Sequence, residues 1–385
     1  MHLALTDEQV ELKARLRAYF AALVDEVEGD PAGGPTYTRY IRRMGEDGWL
    51  GIGWPVEYGG QARGPVDQML FVEESHWAGV PLPLLTLNSI GPTLMALGTE
   101  EQKRRFLPGI LAGTVHFSVG YTEQNAGTDL ASLQTRAVRD GGEYVIDGRK
   151  LYTSAIQYAD HVWLAVRTDP AAERHRGLSV LIVPVDAEGF SWTPLATIAG
   201  DITSTTSYDG VRVPVGNLVG EEHRGWRIIT NQLNHERVAI CPASGLLRSL
   251  EEVRAWAAGE RLADGRRVLD QEWVRLLLAR VHARVEFLKL LNWKVAWAAD
   301  KGLQPADASA TKVYGSELAL EVYRLLGEVV GQPGYLEEGS PGAVLRGRLE
   351  RNSRSQTIFT FGGGANEVQR DIIAMVGLGL PRAPR

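Results

Sequence analysis

The sequence predicts an α+β multidomain protein: an N-terminal helical domain at residues 1–115, a middle antiparallel β-domain at 116–220 and a C-terminal four-helix-bundle domain at 221–385. Three observations predict it. Apolar residues recur at helical spacing before about residue 116 and again after about 220. Between those points the period shortens to that of strands, with Asp-Gly pairs as punctuation. No internal repeat or low-complexity tail interrupts the order, and 385 residues suffice for two or three domains with a large core.

The first helix begins at Thr6, a capping residue whose box is completed by Gln9. Leu12, Leu16, Tyr19, Phe20 and Leu23 then share one face. GIGWPVEYGGQARGP is a Gly/Pro-rich break, and EEQKRRFLPGILAGT reads as a helix ending in a turn. RAVRDGGEYVIDGRKLYTS reads as strands separated by Asp-Gly turns. HVWLAVRT alternates Val162, Leu164 and Val166, while LSVLIVPV is a nearly continuous apolar strand and YDGVRVPVGNLVG closes the β-region. Long helical segments follow around 225–258, 268–301 and 305–331, then an irregular stretch, GQPGYLEEGSPGAVLRGR, before the last helices.

Composition excludes several classes. The chain is 44% hydrophobic and 23% charged, ordinary for a globular protein. A net charge of −6 gives no global support to nucleic-acid binding. Cys241 is the single cysteine, so no disulfide forms within the chain, which fits a reducing cytoplasm. No apolar run approaches the roughly 20 residues that span a bilayer, and the N-terminus lacks a signal-peptide pattern. No His/Cys/Asp cluster has metal-ligand spacing, and Gly362-Gly363-Gly364 lacks the Lys-Ser/Thr of a phosphate-binding loop.

Glu236 is the residue that points to chemistry. It lies in WRIITNQLNHERVAICPASGLLRSL, where Ile229, Leu233, Ile240, Ala243 and Leu247 form a helical ladder. Position 236 falls on that apolar stripe. A carboxylate there is either paired or poised for proton transfer, and the pattern alone favours a structural ion pair with Arg237. Pro242, one turn on, is expected to kink or weaken the helix, and His235 projects to a different face.

The segments SVGYTEQNAGTDLASLQTRAVRDGGEYVIDGRKLYTSAIQYADHVWLAVRT, VRVPVGNLVGEEHRGW and FGGGANEVQRDIIA resemble the signature of the acyl-CoA dehydrogenase family, in order and over nearly the whole length. The resemblance implies bound FAD and α,β-desaturation of an acyl-CoA, with electrons leaving to an electron-transfer flavoprotein. It places Tyr121, Thr122 and Thr128 on a flavin-binding loop, and Tyr152 and Ser154 beside the ring. Gln124-Asn125 stands where Pro-Gly is usual, and Tyr152 where Trp is usual. Glu367 matches a position near the adenine end of FAD.

Many members carry their catalytic Glu in a C-terminal loop, and Gly363 occupies that position here. A subset keeps the base on the helix in an L-x-x-E-R element, which matches Glu236 in LNHERV. The resemblance therefore reverses the preference for an ion pair and implies Glu236 as general base. Gly363 then offers a backbone N–H to the thioester oxygen and space for a bulky acyl group, and Arg237 orients Glu236 or meets substrate.

Homo-oligomeric relatives hold a neighbour's FAD with an R-x-x-x-F-G element and a later Q-x-x-G-G-x-G-Y element. The corresponding stretches, VRAWAAGERLADGRRVLD and EVVGQPGYLEEGSPG, lack the first and degrade the second. The chain is thus similar to the α subunit of actinobacterial α2β2 dehydrogenases of steroid side-chain CoA thioesters, as in cholesterol catabolism. A homologous β subunit would supply the FAD clamp. Two other expectations stand beside this one: a homo-oligomeric short- or branched-chain enzyme, and a non-catalytic subunit that stabilises a partner.

Overall fold

The computed structural model describes residues 4–27, 34–236, 241–299, 302 and 304–381, without the side chains of 233–236. Its helices are α1 (Asp7–Glu26), α2 (Gly34–Glu46), α3 (Pro65–Ala78), α4 (Gly91–Leu97) and α5 (Glu100–Leu111). Eight strands follow: β1 (Phe117–Gly120), β2 (Arg136–Asp140), β3 (Glu143–Lys150), β4 (His161–Arg167), β5 (Leu178–Pro184), β6 (Phe190–Ala196), β7 (Ile202–Pro214) and β8 (Leu218–Val219). The chain then returns to helix in α6 (Gly225–Glu236), α7 (Ser244–Gly259), α8 (Glu272–Ala298), α9 (Pro305–Val330), α10 (Arg348–Ser355) and α11 (Asn366–Ile372). The expected succession of helices, sheet and helices is present. None of the described helices is long and apolar enough to cross a membrane.

The contacts define two compact units. One contains residues 1–26, 64–80 and 237–385. In it α1 starts as its sequence dictates: Gln9 N–H donates to Thr6 Oγ1 at 3.2 Å, and Thr6 N–H donates to Gln9 Oε1 at 3.1 Å. Leu12, Leu16, Phe20 and Leu23 are buried against α3. Glu74 of α3 is enclosed and is matched by the Arg17 guanidinium of α1. The core of this unit runs through α7, α8 and α9, with Val253, Val281, Val285, Leu288, Val322 and Leu326 fully buried.

The other unit contains residues 27–63 and 81–236. Its sheet has the order β6-β7-β3-β2-β4-β5-β8, with β1 added on β4. Pairing is antiparallel except for β1 with β4 and a one-residue contact of β2 with β4. β4 pairs along its whole length with β5 and also with β1 and β2. Residues 162–166 are all buried, so the alternation of Val162, Leu164 and Val166 marks one of two covered faces. The Gly/Pro-rich break is an ordered loop around Trp54, whose Nε1 donates to the Leu87 carbonyl at 3.1 Å.

Two local expectations change. Asp140-Gly141 makes the β2–β3 turn, with Gly141 at φ +62°. Asp147-Gly148 does not turn the chain; it is a register irregularity inside β3. Gly148 has φ +153°, and a Cβ there would lie 2.5 Å from Thr135 Oγ1. The glycine permits a close approach that a side chain would block. Around Pro242 the chain is not helical at all: residues 241–243 precede α7, which begins two residues after Pro242, and 237–240 lie outside the described residues. Glu73 satisfies the freed donors, accepting from Ala243 N–H at 3.0 Å and Ser244 N–H at 2.7 Å.

Gly225 starts α6 against the backbone of β5, where an added Cβ would lie 2.6 Å from Ser179 Cα. Gly216 has open space around it. Gly225→Ala is expected to destabilise the protein by about 1–3 kcal/mol through overpacking, and Gly216→Ala by well under that. Thermal or urea unfolding of the two variants checks the difference.

Candidate active site

One cluster of sequence-selected residues forms at the ends of β1 and β3. Tyr121 and Thr122 follow β1, and the Thr122 carbonyl accepts from Leu151 N–H at 2.8 Å. That bond sets Tyr121-Thr122 beside Tyr152. Tyr152 is 62% exposed and has φ +58°. A non-glycine residue in this conformation costs on the order of 1 kcal/mol. Ser154 follows, with its Oγ 3.1 Å from Thr203 Oγ1, and its carbonyl accepts from Ser118 Oγ at 2.9 Å. Thr153 N–H donates to the Ser204 carbonyl at 2.8 Å. The turn that displays Tyr152 is thus tied to β1 on one side and β7 on the other.

Thr128 is exposed on the same loop, farther along. Gln124-Asn125 forms a tight turn, closed by Glu123 N–H to the Ala126 carbonyl at 3.0 Å and Ala126 N–H to the Glu123 carbonyl at 3.1 Å. Gln and Asn therefore close the loop without the usual Pro-Gly.

Lys150 and Glu123 were not selected by sequence reasoning, yet they hold this loop. Lys150 is fully buried, and its Nζ donates to Glu123 Oε1 at 2.7 Å and to the Tyr121 carbonyl at 3.2 Å. Glu123 also accepts from Gln134 N–H at 2.7 Å and Thr135 N–H at 2.9 Å. Burial pushes the Glu123 carboxyl up. The Lys150 charge and hydrogen bond, with the donors of Thr135, outweigh burial and hold it below its usual value. A signal existed: Lys150 lies on the same strand phase as the buried Tyr144 and Ile146.

A second missed network lies behind the loop. Trp163 Nε1 donates to Tyr121 Oη at 3.2 Å, and Tyr121 Oη donates to Gln232 Oε1 at 2.5 Å. Tyr121 thus turns its ring inward, and the residue as a whole is 7% exposed. Gln232 is on α6, four residues before Glu236. The Glu236 backbone lies in α6; its side chain lies outside the described residues, as does the whole of Arg237.

Gly363 and Glu367 belong to the other unit. Gly363 has φ +66°, in the left-handed region that favours glycine. Its loop is anchored by the fully buried Lys312, whose Nζ donates to the Gly364 carbonyl at 2.7 Å and Asn366 Oδ1 at 2.8 Å. Glu367 is exposed on the first turn of α11. The arginines where a clamp would be expected bond within their own stretch: Arg266 to Asp264 at 2.7 Å, Arg267 to Asp270 at 2.6 Å, and Arg261 Nη1 to the Gly265 carbonyl at 2.8 Å. No group of His, Cys, Asp and Glu among the described residues could hold a metal.

Three family models match the chain: the acyl-CoA dehydrogenase N-terminal domain over residues 6–114, the middle domain over 118–211 and the C-terminal domain over 223–378. The acyl-CoA dehydrogenase FadE26 of Mycobacterium tuberculosis is 57% identical over 400 residues, covering all of both chains. One chain of the ChsE4-ChsE5 complex from Mycobacterium tuberculosis is 58% identical, with a TM-score of 0.94 and full coverage of both chains. The Tcur3481-Tcur3483 steroid ACAD gives a TM-score of 0.94 at 50% identity, again over all of both chains.

Breaking the buried pair is expected to be costly. Lys150→Met leaves the part-buried Glu123 without its cation and should destabilise the protein by about 3 kcal/mol, readable by urea unfolding. The sign of the pH effect follows from the lowered folded-state value. The stability Glu123 contributes is present above its reference value of 4.5 and is lost as pH falls through the folded value. Glu123→Gln should therefore lose less stability than wild type on acidification below pH 4.5.

Proposed function

The chain belongs to the acyl-CoA dehydrogenase family, and we propose that it is the catalytic subunit of a heteromeric enzyme desaturating a steroid side-chain CoA thioester. The activity common to the family is FAD-dependent dehydrogenation of acyl-CoA. The steroid substrate and the partner subunit rest on the ChsE4-ChsE5 complex and the Tcur3481-Tcur3483 steroid ACAD, to which this chain is similar along its whole length.

The residues present fit the cofactor. An exposed aromatic ring held on a strained but well-tied turn makes a platform for a planar heterocycle, and Ser154 sets a hydroxyl two residues on. Tyr121, Thr122, Thr128, Tyr152 and Ser154 would hold the flavin and its phosphates, with Glu367 toward the adenine end. FAD, when bound, supplies the hydride acceptor for the β-hydrogen.

Gly363 is the observation that carries the assignment of the base. Its backbone at φ +66° suits glycine, so the loop that often bears the catalytic Glu has neither the side chain nor a relaxed conformation for one. The proton-accepting role passes to Glu236, which takes the α-proton as its own carboxylate becomes neutral. A backbone N–H at Gly363 would donate to the thioester oxygen and favour the enolate-like charge that develops there. Arg237 would orient Glu236 or meet the substrate.

The arginines of the 254–270 stretch favour the heteromeric reading. Each of three is engaged locally and offers no ready clamp for a neighbour's phosphates. A homologous subunit in an α2β2 assembly would provide it, and an electron-transfer flavoprotein in the cytoplasm would take the electrons.

Glu236→Gln is expected to retain FAD and lose desaturation by at least about a hundredfold, as for removal of a general base. Stopped-flow reduction of the bound flavin by substrate measures it, and wild-type-like reduction would sink the assignment. Native mass and FAD content of the chain purified alone test the assembly. The expected result is weak flavin retention, restored in the complex; a fully flavinated homotetramer would replace the heteromeric reading.

A further inference from the structure

We propose that Gln232 is a ligand-binding residue whose side-chain N–H groups are kept for a carbonyl oxygen of a bound ligand. This rests on the placement of the base at Glu236. Gln232 is 1% exposed, and its Oε1 is already taken by Tyr121 Oη, which itself accepts from Trp163. That chain of donors fixes which way the amide lies. Its Nε2 has no hydrogen-bond partner among the described residues. An amide nitrogen left in this state costs about 1–3 kcal/mol and signals a partner that the protein itself does not supply.

The surroundings are otherwise satisfied. The Gln232 carbonyl accepts from Ser89 Oγ at 3.3 Å, Thr93 Oγ1 donates to the Ser89 carbonyl at 2.8 Å, and Thr230 Oγ1 donates to the Trp226 carbonyl at 3.0 Å. One donor is spare in a packed, polar seam. Its position on α6 gives it meaning. Residues four apart on a helix share a face, about 6 Å from one another. The spare donor therefore lies one turn below the position of the proposed base. Where an aliphatic chain alone passed, leucine would fill the same volume without stranding an amide.

Two carbonyl sources belong to such a site: the thioester of the acyl group and the pyrimidine ring of FAD. The donor chemistry is the same, and one set of measurements separates them. Gln232→Leu keeps the volume and removes the donor. The acyl arm titrates octanoyl-CoA and octyl-CoA, which lacks the carbonyl oxygen, into dithionite-reduced holoprotein that cannot turn over. Loss of one such bond should weaken octanoyl-CoA by about tenfold and leave octyl-CoA unchanged. The flavin arm reads the absorption maximum of oxidised FAD and FAD affinity without acyl ligand; a shift there assigns the acceptor to the flavin. Tyr121→Phe should move the same arm by less, because the amide keeps its donor but loses its fixed orientation. Unchanged ligand and flavin readouts, with only the melting temperature altered, would overturn the proposal. A fully active Glu236→Gln would remove the base assignment but leave these titrations interpretable, since none needs turnover.

Discussion

The buried ammonium of Lys150 is the constraint on which the loop of the β-domain depends. An amine removed from water must find acceptors, and it finds the Glu123 carboxylate and the Tyr121 carbonyl. Glu123 in turn gathers the N–H groups of Gln134 and Thr135. One side chain of β3 thereby fixes both ends of the segment from 121 to 135, which makes no regular ladder of its own. Arg167 adds bonds to the Leu133 and Ala131 carbonyls at 3.1 and 2.9 Å, and buried Ala126 and Leu133 seat the segment, while Thr128 faces solvent.

That rigidity explains how strained backbone persists. Tyr152 and Ala155 both have positive φ, at +58° and +60°. Conformations of this kind survive where surrounding bonds over-determine them. Leu151, Thr153 and Ser154 each contribute a backbone bond that fixes the turn. The turn presents an exposed aromatic ring from a stiff sheet, which is the arrangement expected of a surface that meets a flat ligand.

Much of this fold was legible in the sequence, because period and capping are local. The Thr6 and Gln9 box, the α1 stripe and the apolar β5 run needed no partner to be read. What failed depended on tertiary contacts. Asp147-Gly148 reads locally as a turn, but β7 pairs on both sides of it and leaves a bulge. Pro242 reads as a kink, but residues 241–243 are not helical and Glu73 satisfies the first donors of α7. At the site, motif resemblance selected Tyr121, Thr122, Tyr152 and Ser154, which the structure brings together. It passed over Lys150 and Gln232, whose importance lies in what surrounds them. Lys150 could have been found by strand parity; Gln232 carries no sequence signal beyond its spacing from Glu236.

The distribution of carboxylates bears on where proton transfer occurs. A general base must be free to accept a proton, so a carboxylate committed to permanent donors is a poor candidate. Glu74 faces Arg17, Glu123 holds Lys150 with two backbone N–H groups, Glu350 pairs with Arg354, and Glu73 caps α7. Protonating any of these would release a structural contact during each turnover. The loop bearing Gly363 offers a backbone and no carboxyl at that position. The proposed base, Glu236, is chosen against that background: these four carboxylates are committed to structural donors and position 363 has none, while the α6 backbone carries position 236 one turn beyond Gln232.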